Sequence, residues 1–294
     1  MVAKWVSDLG GIAQKQDLVA LGATDYALTS AVRSGAVFRA RHGWYSTTPA
    51  SEAVLRAVRV GGRLTGLSAI RELDGWTWSY GPLHVSVPRN GARLRSQWDS
   101  RTRISAGERS GVKLHWDGSD VVARGKRTAV ALQDALLRVI LDECLEDAVA
   151  ALDWALHTGK LDGAGFEQVM GRLPPKLRRI RGWVDPACES FPESLARTRL
   201  RLRGYRVRSQ VPMGGSRRID LVVEDQVALE VDGEEFHRDR FKEDRLKDLL
   251  ITLLKLHVIR PPAVAVFNQW DLVLAAIETA LERTGPPRKI QEVN

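Results

Sequence analysis

At 294 residues the chain is long for one domain and sufficient for two or three, and 44% apolar residues suffice for packed cores. No apolar run is long enough to cross a bilayer, and Met1-Val2-Ala3-Lys4-Trp5 lacks a signal peptide's apolar stretch, so a cytoplasmic protein with no membrane partner is expected. Cys144 and Cys188 are too few and too far apart for a disulfide framework or a zinc finger, and the formal charge of +8 favours a polyanionic partner, with nucleic acid first and a generally basic proteome as the alternative.

Residues 12–22 read as a helix stopped by Gly22. Thr24 or Asp25 caps a second helix over 26–34, and strands over 36–41 and 44–47 flank His42-Gly43. Helix, turn, helix and hairpin predict a winged helix-turn-helix domain over residues 1–50. Arg33, Arg39, Arg41 and His42 are its expected contacts to double-stranded DNA. A protein-interaction domain of the same shape is the competing reading.

An α+β middle domain is expected over 51–186, with helices at 51–60, 64–74, 128–141, 145–158 and 161–171 and strands at 83–87, 101–104 and 112–116. His84 and His115 read as sheet residues, the tryptophans as core, and no catalytic constellation stands out. Residues 174–186 form a basic connection.

The last domain, 187–294, is expected to run helix, three strands, helix, strand, helix. Its centre is Arg217-Arg218-Ile219-Asp220-Leu221-Val222-Val223 followed by Val227-Ala228-Leu229-Glu230-Val231-Asp232. Carboxylates within apolar strands are costly unless a cation compensates them. Side chains alternate along a strand, so Glu230 and Asp232 share a face. Asp220 joins them only if the connecting loop, such as Glu224-Asp225-Gln226, has an odd number of residues. In that register Asp220 and Glu230 can share one Mg²⁺ or Mn²⁺ that keeps several waters and offsets charge on a scissile phosphate. Glu193 completes the site, His237 orients substrate or water, and Lys247 reaches the phosphate. Arg217 and Arg218 supply DNA contacts beside it. A solvated hairpin face without metal is the alternative.

Pro192-Glu193-Ser194, Gln210, Arg218-Ile219-Asp220-Leu221, Glu230-Val231-Asp232-Gly233, His237, Asp244-Arg245-Leu246-Lys247-Asp248 and Val258-Ile259-Arg260 together resemble the family related to very-short-patch-repair endonucleases. That family belongs to the PD-(D/E)XK nuclease-like fold. The resemblance implies a mixed sheet flanked by helices, a metal site on Asp220 and Glu230, and Gln210, His237 and Arg245 lining it. It departs at one position: the general motif has lysine two residues after its second acid, where this chain has Asp232. Lys247, Arg245 or His237 must then supply the missing charge, or the site is inactive.

Gly22-Ala23-Thr24, Val32-Arg33-Ser34-Gly35-Ala36-Val37 and Arg41-His42-Gly43-Trp44-Tyr45 resemble the winged-helix domain of AbiEi-type antitoxins, and residues 65–70, 84–87 and 148–153 fit the region that follows it there. This implies DNA binding, a possible toxin as protein partner, and nothing catalytic. The expectation is therefore a DNA-binding protein with a metal-dependent endonuclease domain, in a phage-defence or toxin-antitoxin setting by resemblance. The alternatives are a non-catalytic DNA-binding regulator or antitoxin on a degenerate nuclease fold and, more weakly, a nuclease acting on RNA.

Overall fold

The computed structural model describes residues 1–47, 52–78, 80–105, 107, 111–214, 216–232 and 241–284, without the side chains of 241–245 and 284. It is mixed α+β, with three small sheets among the described residues, and divides into the units Met1–Leu141 and Asp142–Asn294. Among the described residues no helix is long and apolar enough to cross a membrane.

The first unit opens with α1 (Val2–Asp8), β1 (Ile12–Gln14), α2 (Lys15–Ala20), α3 (Asp25–Arg33), β2 (Phe38–Arg41) and β3 (Trp44–Ser46). The three strands form an antiparallel sheet in the order β1-β3-β2. The helix expected over 12–22 is a correction: Ile12 and Ala13 pair with Ser46 and Tyr45, and the helix starts only at Lys15. A three-residue strand is too short to display a period of two, so its apolar pair merged with Leu18 into one helical pattern. Thr24 caps α3 by accepting from the Ala27 amide at 3.1 Å. Val2 and Val6, one turn apart on the unforeseen α1, pack with Ala13, Leu18, Leu28, Val37 and Tyr45 into one core.

Next come α4 (Glu52–Val60), β4 (Arg63–Leu64), α5 (Gly66–Arg71), β5 (Leu83–Pro88), β6 (Val112–Asp117), α6 (Ser119–Val122) and α7 (Leu132–Asp142). β4 is antiparallel and β6 parallel to the central β5. Two expected helices start late for one reason: Leu64 is engaged as a strand, accepting from the Val130 amide and donating to the Thr128 carbonyl. That holds 128–130 extended, so α7 begins at Leu132 and α5 at Gly66. The expected strand over 101–104 is reduced to an isolated Arg95–Arg103 bridge. His84 and His115 are buried sheet residues, as read. Trp98 and Trp116 are exposed, against the expectation that the tryptophans are core.

The second unit contains α8 (Leu145–His157), α9 (Gly163–Arg172), a 3₁₀-helix (Pro175–Trp183) in the basic connection, α10 (Phe191–Leu202), β7 (Val207–Pro212), β8 (Arg218–Val223), β9 (Val227–Leu229), α11 (Phe241–Leu253), β10 (His257–Ile259), α12 (Ala263–Asn268) and α13 (Trp270–Thr284). Its sheet runs β10-β9-β8-β7, with β10 parallel to β9 and the other pairs antiparallel. α10 is tied to α8 by a buried ion pair, Arg197 Nη2 to Asp153 Oδ2 at 2.9 Å. Ile251 and Leu256, from α11 and its end, pack with Ile219, Val222 and Ala228 of the sheet.

Candidate active site

The turn between β8 and β9 has three residues, Glu224-Asp225-Gln226, and Leu221, Val222 and Val223 pair with Leu229, Ala228 and Val227. The odd loop needed to bring Asp220 and Glu230 to one face is present. Glu224 and Asp225 take left-handed conformations, with φ of 51° and 56°, which give the turn the twist a hairpin needs. Asp220 shares its face with Val222, and Glu230 with Ala228; this is the face Ile251 covers.

Just past the last pair the two carboxylates replace the backbone ladder. The Asp220 amide donates to Glu230 Oε1 at 3.3 Å, and the Val231 amide donates to Asp220 Oδ2 at 2.9 Å. Each acid therefore holds an N–H of the neighbouring strand. Lys247, one turn before Ile251 on α11, reaches the pair from above. Its Nζ donates to Glu230 Oε2 and lies 3.9 Å from Asp220 Oδ1. Arg260, just after β10, stands 3.9 Å from Glu230 and donates to Asp248 at 2.7 Å and to Asp232 at 3.4 Å. Asp248, on α11, thereby joins its helix to Arg260 after β10.

Glu193 is buried at the start of α10. Its Oε1 accepts from the Ser190 hydroxyl at 2.7 Å and its Oε2 from the Glu189 amide at 3.0 Å, while the Glu193 amide donates to Ser190 Oγ at 3.4 Å, so Ser190 caps the helix and Glu193 closes back on the residue before the cap. Gln210 Nε2 also donates to Glu193 Oε2 at 3.0 Å. Gln210 lies between the pairs Ser209–Leu221 and Val211–Ile219, opposite Asp220, with φ 51°. A left-handed glutamine in mid-strand costs of order 1 kcal/mol or more and persists where the surroundings demand it. The Ser190-x-x-Glu193 spacing was legible in the sequence as a helix start, and that role of Glu193 went unread.

Electrostatics sharpen the picture. Burial, then the neighbouring Asp220, push Glu230 up to about 7, against the pull of Lys247 and Arg260. Burial also raises Asp220, opposed by the Val231 amide, Lys247 and Arg260. Glu193 is raised by burial and by Asp220. Lys247 faces Asp220 and Glu230, and Arg260 faces Glu230, Asp232 and Asp248.

Among the described residues no group of three or more His, Cys, Asp or Glu side chains is gathered so as to hold a metal ion. Two carboxylates with an all-oxygen donor set and excess negative charge nevertheless suit a hard divalent cation that keeps most of its waters. Asp220 and Glu230 would hold it. Asp232 is drawn toward Arg260, away from a ligand role. His237 lies outside the described residues, as does the side chain of Arg245.

Of the expected DNA contacts, Arg33, Arg39, His42 and Arg217 are exposed, with the Arg39 guanidinium 5.7 Å from the Tyr45 ring centre. Arg218 pairs with Glu189 at 2.7 Å. Arg41 is half-buried, and its guanidinium donates to the carbonyls of Arg59 at 2.7 Å, Val60 at 3.0 Å and Arg93 at 3.0 Å. It satisfies orphan carbonyls at the end of α4, where the helix dipole also favours a cation. Compared with known protein families and with curated proteins, the sequence gives no match.

Proposed function

We propose that the chain is a DNA-binding protein whose second unit hydrolyses DNA phosphodiester bonds with a divalent cation, Mg²⁺ or Mn²⁺, held by Asp220 and Glu230. The observation that carries this reading is the acidic pair on adjoining strands with the Lys247 amine in reach of both members. Lys247 meets the need left by Asp232: a positive charge beside the acids, delivered from α11 instead of from the strand. When bound, the cation supplies Lewis-acid stabilisation of phosphate charge and a more acidic water. Lys247 orients Glu230 and presents its ammonium to an incoming phosphate. Burial and Asp220 push Glu230 up to about 7, and a bound cation would oppose both by favouring the carboxylate. Gln210 and the cap bonds hold Glu193 behind the pair.

The finer fold reading accompanies this. The helix between β9 and the parallel β10 and the helix leading into β7 support a PD-(D/E)XK nuclease-like core. The order α1-β1-α2-α3-β2-β3 with sheet order β1-β3-β2 supports a winged helix, with exposed Arg33, Arg39 and His42 turned to duplex DNA. Plasmid nicking in Mg²⁺ or Mn²⁺ by the wild type, Asp220→Ala and Glu230→Gln tests the proposal. Both variants are expected to fall to background; nicking equal to wild type in both eliminates the site.

A second reading has its own support. The Lys247 ammonium already sits on Glu230, and Asp232 occupies the usual lysine position. A DNA-binding regulator or antitoxin that keeps the nuclease scaffold would bind its operator, show no Mn²⁺ uptake by calorimetry and cut nothing.

A further inference from the structure

In the connection from β5 to β6, residues 88–105 carry Arg89, Arg93, Arg95, Arg101 and Arg103 against one acid, Asp99, and Glu108 and Arg109 follow. It is strongly organised. The Ser96 amide donates to the Thr102 carbonyl at 2.9 Å, Arg95 and Arg103 form a β-bridge, and Ser96 Oγ accepts from the Trp98 amide at 3.1 Å. The Asp99 carboxylate accepts from the Arg101 amide and the Thr102 hydroxyl, at 2.9 Å and 2.8 Å, and these bonds hold it below the usual carboxylate range. The base of the loop is fastened to α4 by the Arg95 amide on the Val60 carbonyl at 3.1 Å. Arg93 takes a left-handed φ of 58° where the Arg41 guanidinium meets its carbonyl.

At the tip stands Trp98, 56% exposed. The Arg56 guanidinium lies over its ring, 4.4 Å from the centroid, and is itself pinned by Arg56 Nε on Gln97 Oε1 at 2.9 Å. One indole face is thus backed by a fixed cation, and the exposure belongs to the other face and the edges. An isolated surface tryptophan needs no explanation. One that a buried Gln97, a stacked arginine and a closed turn hold in place, on a loop whose Arg93, Arg101 and Arg103 are exposed, does.

We propose that this loop binds single-stranded nucleic acid, with Trp98 stacking on one unpaired base and Arg93, Arg101 and Arg103 neutralising the flanking phosphates. Every base offers a π-face, so the contact is tolerant of sequence, and a backing guanidinium strengthens it. A duplex keeps its bases stacked inside and gives the indole no partner. The inference is independent of the acidic pair in the second unit.

Binding of a fluorescein-labelled oligothymidylate and of a duplex, read by anisotropy in EDTA so that cleavage plays no part, tests it. Trp98→Ala is expected to weaken oligothymidylate binding by roughly 5- to 100-fold, with duplex affinity unchanged. Trp98→Phe is expected to recover much of the loss, and Arg101→Ala/Arg103→Ala to flatten the salt dependence. Circular dichroism verifies that each variant is folded. Wild-type affinity in Trp98→Ala overturns the proposal. So does failure of the wild type to bind oligothymidylate, or equal competition by polyglutamate, which marks the loop as a general anion or acidic-protein surface.

Discussion

The Asp153–Arg197 pair offers the most demanding test of how the second unit is held. Arg197 is 2% exposed and Asp153 fully buried. Asp153 accepts three bonds, from Arg197 at 2.9 Å, the Ser194 hydroxyl at 2.6 Å and the Asp185 amide at 2.7 Å. Asp153→Ala removes all three bonds and leaves a buried guanidinium whose remaining bond is to the Trp183 carbonyl at 2.6 Å. Stranding one member of such a pair costs about 3–5 kcal/mol, a large share of the 5–15 kcal/mol typical of a whole protein. Asp153→Asn keeps one of the two acceptor oxygens, enough for the Asp185 amide, but leaves the charge unbalanced, so it is expected to lose somewhat less. Asp153→Leu/Arg197→Met, which removes both charges, is expected to recover most of the loss. Urea unfolding followed by circular dichroism gives the three values. A change below about 1 kcal/mol in both single variants refutes the reasoning. Because Ser194 adjoins Glu193, the same loss would loosen the back of the acidic site.

Other expectations follow from single contacts. Glu230 is protonated more readily when folded than its ordinary value of 4.5 allows, so the folded state binds the extra proton and stability falls as pH rises from about 4.5 through 7. Glu230→Gln should abolish that decline, of order 2–3 kcal/mol, in unfolding curves taken at successive pH values, and a variant that keeps it contradicts the assignment. Lys247→Met should move the Glu230 titration, followed by carboxyl NMR, above its wild-type position near 7. His84 is held down to about 3 by burial and then by His115, so it stays neutral in the fold while the unfolded chain takes up a proton below about 6.5. Stability is then lost as pH falls from 6.5 toward 3, by about 1.4 kcal/mol per pH unit, and His84→Gln should flatten that acid limb. Arg41→Ala should lower unfolding stability by about 2–3 kcal/mol with little change in duplex affinity, and Arg39→Ala the reverse. Lys255, with φ 62°, ends α11 in a turn where the Leu256 amide meets the Ile251 carbonyl; Lys255→Gly should raise stability by about 1 kcal/mol, measured in urea.

Much of the chain was legible because its signals are local. The Thr24 cap, the alternation of 83–87 and the three-residue turn at Glu224 each announce themselves within a few residues. The sequence made the shared face of Asp220 and Glu230 conditional on an odd turn, and the pairing of Val223 with Val227 meets that condition. What could not be read depends on partners distant in sequence. Ile12 and Ala13 are a strand because β3 is there to pair with them, and Leu64 is a strand because 128–130 lies beside it. Nothing near Arg41 reveals that its guanidinium turns in to the end of α4. Nothing near Trp98 reveals that Arg56 stacks on it and leaves it outside the core. Lys247 is brought onto Glu230 by its helical spacing from Ile251, because both face the sheet.

The exchange of N–H groups between Asp220 and Glu230 makes the acidic pair self-reporting. The amide hydrogens of residues 220 and 231 end on carboxylate oxygens instead of carbonyls. Whatever alters the charge on those oxygens, a proton or a captured ion, alters how tightly the two hydrogens are held. Their exchange with deuterium and their chemical shifts therefore follow the state of the site in solution, without a substrate.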